Sequence, residues 1–357
     1  MTIARAVLLA GLLGLAACGG GEPALRGPNP SVLRAVERIS DQDFAVPLEG
    51  GQAALLPVFA DRKLVDPHPG VKRVVIGVQD ATRDAFGTFE TLKRVAGEGG
   101  ETMVVVPQFL AAQDAEKHGL GTDFARWTIE GWRDGGNSRP SSPRDAAALV
   151  SSFGVFDALL LFLSDRVGFP DLSEIVVAGY GPVARTVQLY AATGKGFGPA
   201  DAAGIRLRFV VAGGDTFLYF DDRRPGRGPD GFEAIPREQC SGYNQWPYGI
   251  VLPAVYAFGR EGRELAAAYA ARDVAYLVNA REAAAQDRGC EARAQGDDRV
   301  ERAQLYLRHL ALLAGAPPAT HRMLVAGGAA AGAAGGVGRA GGGAARLGGG
   351  GGGDRPG

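Results

Sequence analysis

Histidine and cysteine are scarce in this 357-residue chain, with four of the first and three of the second. No His-Glu-x-x-His, Cys-x-x-Cys or other clustered His/Cys spacing occurs, so no metal site of those kinds is expected, and no other cofactor. A dominant charge is also missing: 38 Lys plus Arg against 39 Asp plus Glu leave a net charge of −1. A nucleic-acid binder normally carries a basic excess, so no nucleic-acid partner is expected. No apolar run reaches the roughly 20 residues that a bilayer-spanning helix needs. Glycine, in contrast, is abundant. The chain has 55, where average usage of about 7% would supply roughly 25. Much of the excess is terminal, since 25 of the 34 residues from Leu324 to Gly357 are Gly or Ala. Such a stretch has little to bury and glycine's ordering cost is maximal, so 324–357 is expected to be a disordered tail. Within it, Gly336 to Gly341 matches Gly-x-Gly-x-x-Gly by letter only, because no strand precedes it.

The N-terminus is informative. Arg5 is followed by an apolar run from Ala6 to Ala17, the layout of a secretory signal over residues 1–17. The run ends in Leu15-Ala16-Ala17-Cys18, which resembles the lipobox of bacterial lipoproteins. That resemblance implies a diacylated Cys18 and a partner in the membrane reached through the N-terminal lipid. Gly19 rather than aspartate follows, which favours the outer membrane of a bacterial envelope. Residues 18–30, rich in Gly and Pro, read as a flexible tether, and 31–323 as the globular body. Cys240 and Cys290 then remain, an even pair in an oxidising compartment. Two buried thiols are the alternative to a bridge. A bridge would close a loop of about 50 residues, worth roughly 4 kcal/mol in the chain-entropy account.

From Val71 onward short β-branched runs alternate with helical patterns. Val74 to Val78, Thr102 to Val106, Ile175 to Ala178, Leu207 to Ala212 and Val274 to Val278 read as strands, several of them apolar enough to be buried on both faces. Helices are expected over about Arg144 to Arg166, starting at Ser142-Pro143, from beyond Gly181 to about Thr193, and from Asp297-Asp298 to about Leu313. The succession indicates an α/β domain with a mostly parallel sheet flanked by helices on both faces. Phe220 to Pro236 interrupts it with Gly, Pro and acidic residues that fit no EF-hand loop, and reads as a solvated surface excursion.

The stretch Ile175-Val176-Val177-Ala178-Gly179-Tyr180-Gly181-Pro182-Val183-Ala184 is similar to the nucleophile elbow of α/β-hydrolases, which carry Gly-x-Ser-x-Gly between a strand and a helix. Further segments resemble a group of bacterial and fungal serine-hydrolase-like proteins, in that group's order. They include Pro107 to Leu110, Arg126 to Gly136, Ser151 to Phe153, Phe217 to Asp221, Cys240 to Asn244 and Asp287 to Ala292. The resemblance covers about Val71 to Met323 and implies an α/β-hydrolase-like fold. The chemistry of that family requires a nucleophile, a base, an acid and oxyanion donors. Gly181 stands at the nucleophile position. Pro182, with no N–H, stands where the next residue donates to the oxyanion. Gln79 and Asp80 occupy the other oxyanion positions, and Glu282 alone offers a carboxylate at the acid position. The histidine turn should follow His321-Arg322-Met323, and the chain there reads Leu324-Val325-Ala326-Gly327-Gly328.

His68, His118, His309 and His321 are the possible bases, all at positions other than the family's. Ser151 and Ser152 open an apolar helical face and read as structural. The expectation is therefore a lipid-anchored envelope protein with an α/β-hydrolase fold, no catalytic residues in place, and a ligand or partner role. Two alternatives stay open. One is an active carboxylic-ester hydrolase with displaced catalytic residues. The other is a decayed or frameshifted hydrolase product, since a shifted frame in GC-rich DNA encodes Gly, Ala and Arg.

Overall fold

The computed structural model describes residues 33–97, 100–140, 149–282, 284 and 287–327. Cys18, Ser142-Pro143, Gly336 to Gly341 and the tail beyond Gly327 lie outside the described residues. Eight strands form the main sheet: β1 (Asp43–Pro47), β2 (Ala53–Ala60), β3 (Arg73–Gly77), β4 (Thr102–Pro107), β5 (Glu174–Tyr180), β6 (Arg206–Ala212), β7 (Asp273–Asn279) and β8 (His321–Ala326). Their spatial order is β1-β2-β4-β3-β5-β6-β7-β8. β1 and β2 form an antiparallel hairpin, β2 meets β4 antiparallel, and every later pairing is parallel.

Alternating side chains divide the interior in two. Val74, Ile76, Ile175, Val177, Phe209 and Val211 point into the larger core. Val75, Val176, Ala178 and Val210 point into a smaller core on the opposite face. Burial on both sides is why the strand sequences are continuously apolar instead of alternating. Helix α1 (Ala85–Ala96) contributes Phe89 and Leu92 to the smaller core. The larger core is covered by α2 (Ser152–Leu163), α3 (Ala184–Thr193), α4 (Gly262–Ala270) and α5 (Arg299–Ala314).

Three sequence expectations are corrected. The helix expected from Arg144 starts at Ser152, because Val150 is held extended by paired hydrogen bonds with Ser138. Ser151 is its N-cap, accepting from Phe153 N–H at 3.1 Å and donating to Gly135 C=O at 2.8 Å. Leu324, Val325 and Ala326, grouped with the tail on composition, continue β8 and pair with Leu277, Val278 and Asn279. The aliphatic run entering the glycine tract is enough to extend the edge strand. Finally, Phe220 to Pro236 is no solvated loop throughout: Arg223–Pro225 and Phe232–Ala234 form a small hairpin. Arg224 is fully buried there, donating to Tyr243 C=O at 2.8 Å and Tyr248 C=O at 3.1 Å, its guanidinium 4.3 Å from the Tyr219 ring centre. Backbone oxygens and an aromatic face replace its water.

Helix α5 begins where its acidic residues suggest, with Asp298 accepting from Glu301 N–H at 2.9 Å. Cys240 and Cys290 form a disulfide with a 5.7 Å Cα separation. At the other end of the chain the residues before β1 are stitched to the body. Arg83 and Asp114 form a fully buried ion pair at 2.7 Å. Asp114 also accepts from Val36 N–H at 2.9 Å, while Arg83 donates to Arg34 C=O at 2.8 Å.

Candidate functional site

The strand–turn–helix succession expected around Gly181 is present: β5 ends at Tyr180, Gly181–Val183 make a single tight turn, and α3 follows. Gly179 is needed for the close approach of helix to strand. A Cβ there would lie 2.8 Å from both Val183 O and Val187 Cγ2. Gly181 has φ +64°, the left-handed region that favours glycine, and a Cβ there would meet nothing within 4 Å. The turn thus points an absent side chain into open space. Pro182 follows directly and has no N–H to offer.

Gln79 and Asp80 follow β3. Gln79 is fully buried; its amide donates to Phe109 C=O at 3.0 Å and accepts from Phe109 N–H at 3.1 Å. Asp80 is exposed and folds back on its own loop, accepting from Thr82 N–H at 2.9 Å, Thr82 Oγ1 at 2.7 Å and Asp84 N–H at 3.0 Å. These donors are neutral, so they fix the carboxylate ahead of α1, whose N-cap is Asp84, without cancelling its charge. Glu282 ends a short turn, Ala280–Glu282, directly after β7.

The histidines are dispersed. His68 packs on Phe169 and burial holds its pKa below the usual value. His118 Nε2 lies 2.9 Å from Val36 O. His321 begins β8 opposite Val274, at the far end of the sheet from Gly181. Its nitrogens meet Tyr276 OH at 3.1 Å and Tyr269 C=O at 3.0 Å, and burial lowers its pKa. His309, on α5, is fully buried between the rings of Tyr219 and Phe232, with Nε2 3.2 Å from Asp221 Oδ1. That imidazole–carboxylate pair ties α5 to the segment that enters the hairpin.

A polar cluster that sequence reasoning did not single out sits around the first turn of α3. Arg185 Nη1 donates to Thr216 Oγ1 at 2.8 Å, and its guanidinium lies 3.6 Å from Asp134 and 4.9 Å from the Tyr248 ring centre. Tyr248 donates to Asp287 Oδ2 at 3.0 Å, and Asp287 N–H donates to Asp215 Oδ2 at 2.8 Å. Burial raises the Asp134 carboxyl against the opposing pull of Arg185 and Arg133. Burial likewise pushes Tyr248 up to about 12. Asp215 and Asp287 follow β6 and β7, so the cluster lies toward the carboxyl ends of the strands, where open α/β sheets bind ligands. Only the Arg185 position four residues after Gly181, one helical turn on, could have signalled it.

Strand order, the antiparallel first hairpin, the parallel remainder and the turn at Gly181 together define the α/β-hydrolase fold. The chain is similar to poly(aspartic acid) hydrolase-1 from Sphingomonas sp. KT-1, with 17% identity over 83% of this chain and 96% of that one, at a TM-score of 0.51. It is also similar to a poly(3-hydroxybutyrate) depolymerase from Bordetella parapertussis, with 13% identity over 84% and 85% of the two chains and a TM-score of 0.49. No family model matches the chain, and no curated protein does.

Proposed function

We propose that this protein is a lipid-anchored component of a bacterial cell envelope, favouring the outer membrane, in which an α/β-hydrolase fold serves binding and not ester hydrolysis. The observation that carries the reading is the pair Gly181-Pro182 at the turn between β5 and α3. The first residue has no nucleophilic atom and the second has no N–H. The dispersal of the four histidines supports it, because a serine or cysteine nucleophile elsewhere would still need an adjacent base. The anchor rests on the Leu15-Ala16-Ala17-Cys18 sequence.

Hydrolysis of a short-chain activated ester by the purified protein tests the catalytic half. No turnover above buffer, and no labelling by a serine-directed phosphonate, is expected; phosphonate-sensitive turnover would favour a hydrolase with displaced residues. Intact mass of membrane-extracted protein tests the other half. A diacylated Cys18 at the N-terminus is expected, and an unmodified Cys18 still preceded by Ala17 would defeat the anchor.

A further inference from the structure

Behind the turn at Gly181 lies a cavity of about 340 Å³ between α1 and the ends of β3, β5 and β6. Its floor and walls are aliphatic: Val78, Leu92, Ala178, Val183, Val210 and Ala212, all buried. The size falls within the range of small-molecule sites. At the roughly 30 Å³ that a water occupies in the liquid, it holds about ten non-hydrogen atoms.

Tyr180, 38% exposed, brings to the lining a hydroxyl that can donate and accept; the other polar side chains there offer no free proton. Thr88 Oγ1 donates to Asp84 C=O at 3.2 Å and Thr91 Oγ1 donates to Gly87 C=O at 2.9 Å, so both hydroxyl protons are spent on the helix. Asp80 and Asp84 are exposed at the rim and can only accept. Among the described residues no Lys, Arg or His lines the cavity, and neither carboxylate has an ion-pair partner. The positive end of α1, which would otherwise attract an anion, already has Asp84 as its cap. An aliphatic chamber therefore opens through a mouth whose charged groups, Asp80 and Asp84, are both negative.

We propose that this cavity binds a small aliphatic amine, with the hydrocarbon against Val210 and Ala212 and the ammonium at Asp80 and Asp84. Charge complementarity at the mouth selects the amine over an aliphatic carboxylate of the same length. The site goes beyond the reading of the Gly181 turn and does not depend on it, because no residue of it is asked to perform chemistry.

Calorimetric titration of the purified full chain with octylamine, octanoate and 1-octanol tests the assignment. Saturable one-to-one binding of octylamine is expected, about tenfold tighter than octanoate. That ratio corresponds to an attraction gained and a repulsion avoided at a partly solvated pair of carboxylates, with 1-octanol intermediate. The double variant Asp80→Asn and Asp84→Asn, in which asparagine still caps α1, should reduce the preference to about threefold or less. Ala212→Leu should abolish binding by filling the chamber; Ala178→Leu replaces it should that variant not fold. Absence of saturable octylamine binding, equal binding of octanoate, or parent-like binding by a folded filled variant would overturn the proposal.

Discussion

Gln79 and Phe109 close a two-bond ring across the gap between the loop after β3 and the loop after β4, the side-chain amide of one satisfying both backbone groups of the other. Both residues are fully buried. Gln79→Ala would strand a buried N–H and a buried C=O, each worth about 1–3 kcal/mol when unsatisfied. A loss of roughly 2–4 kcal/mol in urea unfolding is expected; a loss below about 0.5 kcal/mol would show that water replaces the amide without cost.

Gly181→Ser is expected to yield no ester hydrolase. Its Cβ would enter open space, so the change costs only the left-handed backbone, about 1–2 kcal/mol. The hydroxyl gains no partner base, and in triad enzymes loss of the histidine alone costs on the order of 10⁶ in turnover. Pro182 still withholds a donor worth roughly 10²–10³. Phosphonate-sensitive turnover well above the parent protein would reveal a base that the four histidine positions do not suggest.

Acid should loosen the hairpin at Asp221. Burial alone would raise this carboxyl, but the adjacent His309 imidazole and the backbone and guanidinium of Arg223 outweigh it and hold it at about 2. A depressed carboxylate stabilises the fold above its unfolded pKa of about 4, and that contribution disappears as pH falls from about 4 to 2. Asp221→Asn should remove this pH dependence, by about 1 kcal/mol once solvent screening is allowed for. Parallel unfolding curves for parent and variant across that window would contradict the assignment.

The Cys240–Cys290 bridge spans 50 residues of sequence. Replacing both cysteines by serine should lower stability by about 2–4 kcal/mol, chiefly by freeing the unfolded chain. The parent protein under non-reducing conditions should show no alkylatable thiol at either position, and labelling of both would remove the bridge.

What the sequence disclosed follows from where its information is local. Val74, Val75 and Ile76 announce a strand buried on both faces because each position alone is apolar. Asp298 announces the start of α5 because an N-cap is a contact within three residues. β1 and β2 do not read as sheet members from sequence because each contains a proline, Pro47 and Pro57, and their partners are set by the sheet. Val150 resembles a helical position until Ser138 is known to hold it. Arg224 resembles a surface residue until the carbonyls of Tyr243 and Tyr248 converge on it. The turn at Gly181 was legible from neighbouring residues alone. The Arg185, Tyr248 and Asp287 cluster was not, because its members come together only when α3 meets two loops distant in sequence.

The buried pair of Arg83 and Asp114 has a mechanical consequence. By gripping Arg34 and Val36, it fixes the place where the chain enters the body. From Cys18 to Leu33 there are 15 residue steps, a reach of at most about 50 Å when fully extended. With the lipid proposed at Cys18, tension from the membrane would arrive at this one corner, beside the ends of β3 and β4. A body so anchored would be moored from a fixed point, and pulling force from the membrane would pass into a buried ion pair before it reached the sheet.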